Sequence, residues 1–173
     1  MRGAWEARTQ PGSASLHGVP PRKPDPARLV AALNEQRAAL GEPAWTGPAE
    51  PVAVGRASVL AVTAAVDAGA EPLREAMRAA TRFLLDALGE RAPGRSVEVR
   101  VPPYAAVQCV AGPRHTRGTP PNVIETDPLT WLALATGRLG WAAALASGRV
   151  RASGPRADVS AYLPLAAIRA AGG

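Results

Sequence analysis

The chain has 173 residues, a formal net charge of +6 and a hydrophobic fraction of 47%, which together predict a soluble globular protein with a well-filled core. Its one cysteine and two distant histidines argue against an internal disulfide, a thiolate zinc cluster and a histidine-based metal site. The cations are spread along the chain and are arginines except for Lys23, so dispersed surface charge is a better interpretation than a nucleic-acid interface.

The sequence also bears on location. No charged start is followed by the apolar segment of a secretory signal, and the longest apolar run, residues 57–65, is too short to cross a bilayer of ~30 Å. We therefore expect a cytoplasmic protein, without stable membrane insertion and monomeric.

The first 69 residues predict a tail, a helix and a proline-rich connection. Residues 1–24 mix Gly, Pro, Ser and Arg without periodicity, which is typical of a disordered tail. Asp25 before Pro26 predicts a helix start, and Gly41 predicts its end. Residues 41–55 contain three prolines and predict a linker, with Trp45 placed to pack on the core. Residues 56–68 fit either a strand or a helix, and their alanines favour a helix. Residues 25–69 are thus predicted as a helical extension and linker.

The middle of the chain changes from helical spacing to alternation. Residues 71–90 carry a continuous apolar face, formed by Leu73, Ala76, Met77, Ala80, Phe83, Leu84, Ala87 and Leu88. After Pro93 and Gly94, apolar and charged residues alternate over 97–101, which predicts a strand. Residues 105–110 predict a second strand, 111–121 a loop and 122–126 a third strand.

The segment from Glu125 to Leu165 predicts two short helices, a strand and a closing helix. Asp127 and Pro128 begin the first helix, which Gly137 ends, and residues 141–147 form the second, before Gly148. Residues 149–153 alternate as a half-buried strand, and 158–168 predict the last helix. The expected fold class is α+β, a small mixed or antiparallel sheet of four strands covered on one face by amphipathic helices.

This order resembles the C-terminal part of the sterol carrier protein type 2 family. The matching residues are Thr136-Gly137-Arg138-Leu139 and the strand segment 147–154, a fairly specific pair at this spacing. Segments 97–104 and 112–122 further resemble an actinobacterial branch of sterol-carrier-like proteins. The resemblance covers residues 70–168, leaving 169–173 as a short tail. It implies an apolar ligand cavity, with no catalytic residues, metal or cofactor.

The resemblance also implies which residues line the cavity, since family members place helix residues against the bound acyl chain. The candidate ligand-binding residues are Trp131, Leu134, Trp141, Leu145 and Leu163. The alternative for the two tryptophans is simple core packing in a domain that is poor in aromatic residues.

A polar loop supplies further candidates. Arg114, His115 and Arg117 could hold a carboxylate or phosphate headgroup, although a solvated loop explains the same residues equally well. Cys109 is predicted to be a buried small hydrophobe, not a reactive thiol. Asp127 is accounted for as a helix cap, so we infer no carboxylate site with Glu125.

The leading functional hypothesis is a noncatalytic lipid-binding protein that holds a fatty acid, sterol or isoprenoid. One alternative is a relative of the mycothiol-dependent isomerases, whose metal is held by histidines of an N-terminal helical bundle; here the first ninety residues offer only His17. Another is a protein-interaction adaptor. Co-purified lipid would distinguish the first hypothesis from the adaptor, and bound metal would distinguish the enzyme.

Overall fold

The computed structural model describes residues 25–112 and 122–165. Its helices are α1 Pro26–Ala39, α2 Pro51–Asp67, α3 Arg74–Arg91, α4 Pro128–Thr136 and α5 Trp141–Ala146. Its strands are β1 Val97–Val101, β2 Ala105–Cys109, β3 Val123–Thr126 and β4 Val150–Ser153, followed by a 3₁₀ turn at Ser160–Tyr162. The α+β class is confirmed. The segments 1–24 and 169–173, predicted as tails, lie outside the described residues.

Three helices begin with proline at their first position, where a missing N–H costs no hydrogen bond. Asp25 and Asp127 cap two of them as predicted, and Asp25 accepts a hydrogen bond from the backbone N–H of Ala27 at 3.1 Å. The third proline, Pro51, corrects the predicted linker of residues 41–55. The linker ends at Glu50, because the fixed φ of Pro51 suits the first helical turn and α2 continues from it.

The four strands form one mixed sheet in the order β2-β1-β3-β4. β1 pairs antiparallel with β2, with Val99 opposite Val107, and parallel with β3, with Val99 opposite Ile124. β3 pairs antiparallel with β4. The alternation predicted for β1 is confirmed, since its three valines are buried while Glu98 and Arg100 are half-buried on the other face. One face of the sheet therefore belongs to the main core.

α3 supplies much of that core. The predicted apolar face is confirmed for most of its residues: Ala76, Met77, Ala80, Leu84 and Leu88 are buried, and Phe83 and Ala87 are half-buried against the core. Leu73 is the exception, because it precedes the helix and is 39% exposed. The buried residues share a hydrophobic cluster with the valines of β1, with Ile124 and with residues of α4. α3 is thus the main helical cover of the sheet.

The first two helices pack on α3. Residues 56–68 are helical, as their alanines favoured, and Val59 and Val62 of α2 belong to the main core. A second, smaller cluster between α1 and α2 contains Leu33, Val54, Ala57 and Ala61, with Trp45 packed against it as expected. The buried side-chain amide of Gln36 links α1 to the start of α3, because the N–H of Leu73 donates to its Oε1 at 2.7 Å.

The closing helix predicted over 158–168 is wrong for the residues described. The chain makes only the 3₁₀ turn at Ser160–Tyr162 and then becomes extended at Leu163, with φ −105° and ψ 149°. Pro164 explains this, since a proline disfavours helical geometry in the residue before it and has no N–H to donate. Instead, the N–H of Leu165 donates to the carbonyl of Ala135 at 2.9 Å, which holds this segment against α4.

Candidate functional site

The predicted ligand site is built on α4 and α5, the two short helices between β3 and β4. The start of α4 is fixed by Asp127, whose carboxylate accepts hydrogen bonds from the backbone N–H and the hydroxyl of Thr130 at 2.9 and 2.6 Å. Its end is fixed by Gly137, which has a left-handed φ of 79° that favours glycine. The two ends set the direction in which α4 presents its side chains.

Two opposing effects act on the Asp127 carboxyl. Partial burial favours its neutral form, but hydrogen bonds from Thr130 and Leu129, together with the positive charge of Arg149, hold the pKa of Asp127 below its usual value. Asp127 lies in a polar groove of about 320 Å³, whose other lining residues are Pro102, Glu125, Thr126, Gly148, Arg149 and Arg151. Two carboxylates face two guanidinium groups there, so the groove has no net charge to attract an ion.

Trp131 and Leu134, the two candidate residues on α4, are each 1% exposed and belong to the main core. The Leu134 side chain is entirely apolar, whereas Trp131 carries an indole N–H that must be paired or left unsatisfied. Nε1 of Trp131 is buried and has no hydrogen-bond partner among the described residues. Leaving such a buried donor unpaired lowers the free energy of unfolding by about 1–3 kcal/mol.

The remaining apolar candidates lie at the margin of this core. Trp141 at the start of α5 and Leu163 after the 3₁₀ turn are half-buried and pack against the same cluster. Leu145 points towards solvent and is 39% exposed. The structure thus brings Trp131, Leu134, Trp141 and Leu163 into one cluster and leaves Leu145 at the surface.

The polar candidates Arg114, His115 and Arg117 lie outside the described residues, in the segment that connects β2 to β3. Their predicted contact with a headgroup therefore stays a prediction.

A second groove, not predicted from the sequence, lies between α2 and α3. We call it the α2–α3 groove; it encloses about 330 Å³ and is lined by Leu29, Pro51, Val52, Gly55, Arg56, Ala79, Arg82, Phe83, Asp86, Ala87 and Glu90. The predicted linker over residues 41–55 gives no indication of this groove, because it leaves Val52 and Gly55 outside any helix. The signal was present: Glu50-Pro51 repeats the acid-proline pair that begins α1 and α4.

Cys109 is fully buried, and burial raises the pKa of its thiol to about 11. A protonated, inaccessible thiol suits the predicted role as a small hydrophobe. Within residues 25–112 and 122–165, no three His, Cys, Asp or Glu side chains are grouped to hold a metal ion. In the same ranges, no helix has the length and apolar character needed to cross a membrane.

Comparison with known protein families gives a match over the second half of the chain. A family model described as bacterial SCP ortholog, where SCP denotes sterol carrier protein, matches residues 73–165. The match begins immediately before α3 and includes the whole sheet, α4, α5 and the 3₁₀ turn, while α1 and α2 precede it. No curated protein matches the chain.

Proposed function

Because the chain belongs to the bacterial SCP ortholog family, we propose that it is a noncatalytic carrier of an apolar small molecule, namely a fatty acid, a sterol or an isoprenoid. The observation that carries this proposal is the family match itself, which spans more than half of the chain. A carrier of this kind acts as a soluble cytoplasmic monomer and needs no cofactor.

The proposed ligand contacts lie where α4 and α5 meet the core. Trp131 supports this placement, because its buried indole N–H lacks a partner among the described residues and would donate to a ligand carbonyl or hydroxyl. Leu134, Trp141 and Leu163 would contact the apolar chain, with Leu145 joining them at the surface end. One unsatisfied donor among apolar side chains is the pattern that orients a ligand in a lipid cavity.

Access to this position requires part of the core to open. α5 suits that role, since it buries only Ala144 while its other alanines and Leu145 are exposed. A short helix with little buried surface opens at lower free energy than the rest of the fold. We propose that displacement of α5 admits the ligand to Trp131 and Leu134.

The proposed headgroup contacts are Arg114, His115 and Arg117. Charge-assisted hydrogen bonds from a guanidinium to a carboxylate contribute about 1.5–3 kcal/mol each where water is excluded. Replacing both arginines with Gln should therefore weaken a long-chain fatty acid at least tenfold and leave the corresponding alcohol nearly unchanged. Equal affinity of the wild type and the double variant for the fatty acid would show that these arginines do not contact the headgroup.

The proposed site is tested by titration with a fluorescent fatty-acid analogue, followed by displacement with unlabelled lipids. We expect saturable binding, and Trp131→Phe should weaken ligands that carry a carbonyl or hydroxyl while sparing a hydrocarbon. The matched control is Trp45→Phe, because Trp45 packs on the smaller cluster and its indole donates to the carbonyl of Pro48. Absence of saturable binding across acyl chains, sterols and isoprenoids would refute the carrier function and favour the adaptor.

A further inference from the structure

The two ends of the segment that connects β2 to β3 are held by the same two residues, Ser96 and Arg156. Before the segment, a Cβ on Gly112 would lie 2.8 Å from Cβ of Ser96 and 2.7 Å from Nη1 of Arg156. After the segment, the side chain of Asn122 donates to the carbonyl of Ser96 at 2.7 Å and accepts the backbone N–H of Arg156 at 2.9 Å. Ser96 and Arg156 thus close the base of residues 113–121, which carry the proposed headgroup contacts.

The backbone of Arg156 is fixed, and its guanidinium lies at this base. Its N–H is bound by Asn122, and the following residue, Ala157, is buried in the main core. The Arg156 side chain is exposed, and it lies so close to Gly112 that a larger residue at that position would displace it. Ser96, by contrast, is buried. Arg156 is therefore the side chain at this base that can meet a ligand.

The positive charge at this base is not balanced by nearby acids. Among residues 25–112 and 122–165, no carboxylate lies within 4 Å of the Arg156 guanidinium. Asp158, the nearest acid in the sequence, accepts the backbone N–H of Ser160 at 2.7 Å. Residues 113–121 add two arginines and no acid, whereas the described ranges together contain as many arginines as aspartates and glutamates. An anion at this base therefore meets guanidinium groups without repulsion from a neighbouring carboxylate.

Given the proposed carrier function, on which this inference rests, we propose that Arg156 is a further ligand-binding residue and that the headgroup held at this base is a phosphate monoester, as in an alkyl or isoprenoid phosphate. The guanidinium fork pairs two N–H groups with two phosphate oxygens. A phosphate monoester carries almost two negative charges at neutral pH, so several guanidinium groups attract it more strongly than they attract a carboxylate. Gly112 and Asn122 hold Arg156 in place before a ligand arrives, which lowers the entropic cost of binding.

Three ligands with the same chain, dodecyl phosphate, dodecanoate and dodecanol, test the choice of headgroup. Each is titrated calorimetrically into the full-length protein at neutral pH. We expect dodecyl phosphate to bind about tenfold or more tightly than dodecanoate, and dodecanol to bind more weakly than both. Equal affinity for the phosphate and the carboxylate would overturn the phosphate assignment and leave the carrier function standing. Absence of binding by all three ligands would refute both.

Inorganic phosphate separates a lipid headgroup from a free ion. We expect it to bind far more weakly than dodecyl phosphate, because it lacks the apolar chain that the core would bury. Inorganic phosphate that binds as tightly as dodecyl phosphate would indicate a site for the free ion and would overturn the headgroup assignment.

Substitutions of Arg156 test its own contribution. Arg156→Gln should weaken dodecyl phosphate about tenfold or more and leave dodecanol unchanged, which also shows that the variant is folded. Arg156→Lys should retain part of the affinity, because lysine keeps the charge but lacks the bidentate fork. Equal affinity of the wild type and Arg156→Gln for dodecyl phosphate would refute the proposal.

Two further variants separate the position of the guanidinium from its charge. Gly112→Ala should weaken dodecyl phosphate more than dodecanol, since the added methyl group meets Nη1 of Arg156. Arg74→Gln is the matched control, because Arg74 is likewise an exposed arginine without an ion pair in the described part of the chain, and it lies at the start of α3. Loss of dodecyl phosphate affinity in Arg74→Gln equal to that in Arg156→Gln would show an effect of net charge alone and would overturn the assignment to Arg156.

Discussion

At the scale of single residues, burial has different consequences for two polar groups of the main core. The Cys109 thiol stays protonated and so avoids the free-energy cost of a buried charge, since burial raises its pKa to about 11. The Trp131 indole cannot change its protonation, so its N–H stays unpaired among the described residues. The Cys109 thiol therefore behaves as an inert hydrophobe, whereas the unpaired N–H of Trp131 is the stronger indication of a bound ligand.

The inert character of Cys109 leads to a reactivity prediction. At pH 8 a thiol with a pKa of about 11 is ionised in roughly one molecule in a thousand, and it is also inaccessible. A disulfide reagent such as DTNB should therefore label Cys109 slowly in the native protein and quickly in urea. Rapid labelling of the native protein, at the rate seen in urea, would show that β2 opens readily.

The cap of α4 leads to a pH prediction. Asp127→Ala should destabilise the protein by about 1 kcal/mol at neutral pH, because the first turn of α4 loses its acceptor. Asp127→Asn retains an acceptor and isolates the charge. Folding lowers the pKa of Asp127, so the carboxylate stabilises the protein fully at pH values above the pKa of the unfolded chain, about 3.9. This contribution to the free energy of unfolding disappears as the pH falls through the pKa of the folded state.

Urea unfolding of the wild type and the two variants between pH 7 and pH 3 measures this effect. The difference between wild type and Asp127→Asn should shrink towards the acid end. A difference that grows on acidification would contradict the direction of the pKa shift.

The sequence alone predicts both Asp127 and Cys109 correctly, since capping and strand alternation depend on near neighbours in the chain. The unpaired N–H of Trp131 could not be predicted, because it depends on which distant groups surround the indole.

At the scale of elements, local signals predict most helices and strands, and two prolines account for the errors. The sequence pattern predicts Pro51 within a linker, whereas it begins α2. The pattern likewise predicts Pro164 within a closing helix, whereas Leu163 before it is extended. In both cases the position of the proline relative to the helix start decides the outcome, and composition does not reveal that position.

The contact between α2 and α3 leads to a packing prediction. Gly55→Ala should destabilise the protein by about 1–3 kcal/mol, because the added methyl group meets the Phe83 ring within the packed interface. Phe83→Leu should relieve part of this cost in the double variant. A double-mutant cycle by urea unfolding measures the coupling, and additive effects would show that the two residues do not limit the approach of the helices.

At the scale of the whole molecule, the additional helices are joined to the family domain. Val59 and Val62 of α2 belong to the same core as α3 and β1, and Gln36 accepts the hydrogen bond from the N–H of Leu73. The sequence predicted residues 25–69 as an extension, but a pattern of alanines and valines does not show which surface they cover.

Nested truncations test this organisation. Removing residues 1–24 should leave the thermal midpoint within about two degrees, because their composition provides little apolar surface to bury. Starting the chain at residue 73 should lower the midpoint by ten degrees or more or cause aggregation, because the core residues beneath α2 become exposed. Equal midpoints for the full chain and the chain starting at residue 73 would mean that α1 and α2 are dispensable.

We propose that this member of the bacterial SCP ortholog family carries an apolar molecule in its family domain. Native mass spectrometry of the freshly purified full chain, with organic extraction and identification of what co-purifies, tests it most directly. We expect a protein population whose added mass matches an extracted fatty acid, sterol or isoprenoid. Trp131→Phe should reduce that population, and Trp45→Phe should not. Apo protein alone, which also takes up none of these lipids when they are added in excess, would contradict it.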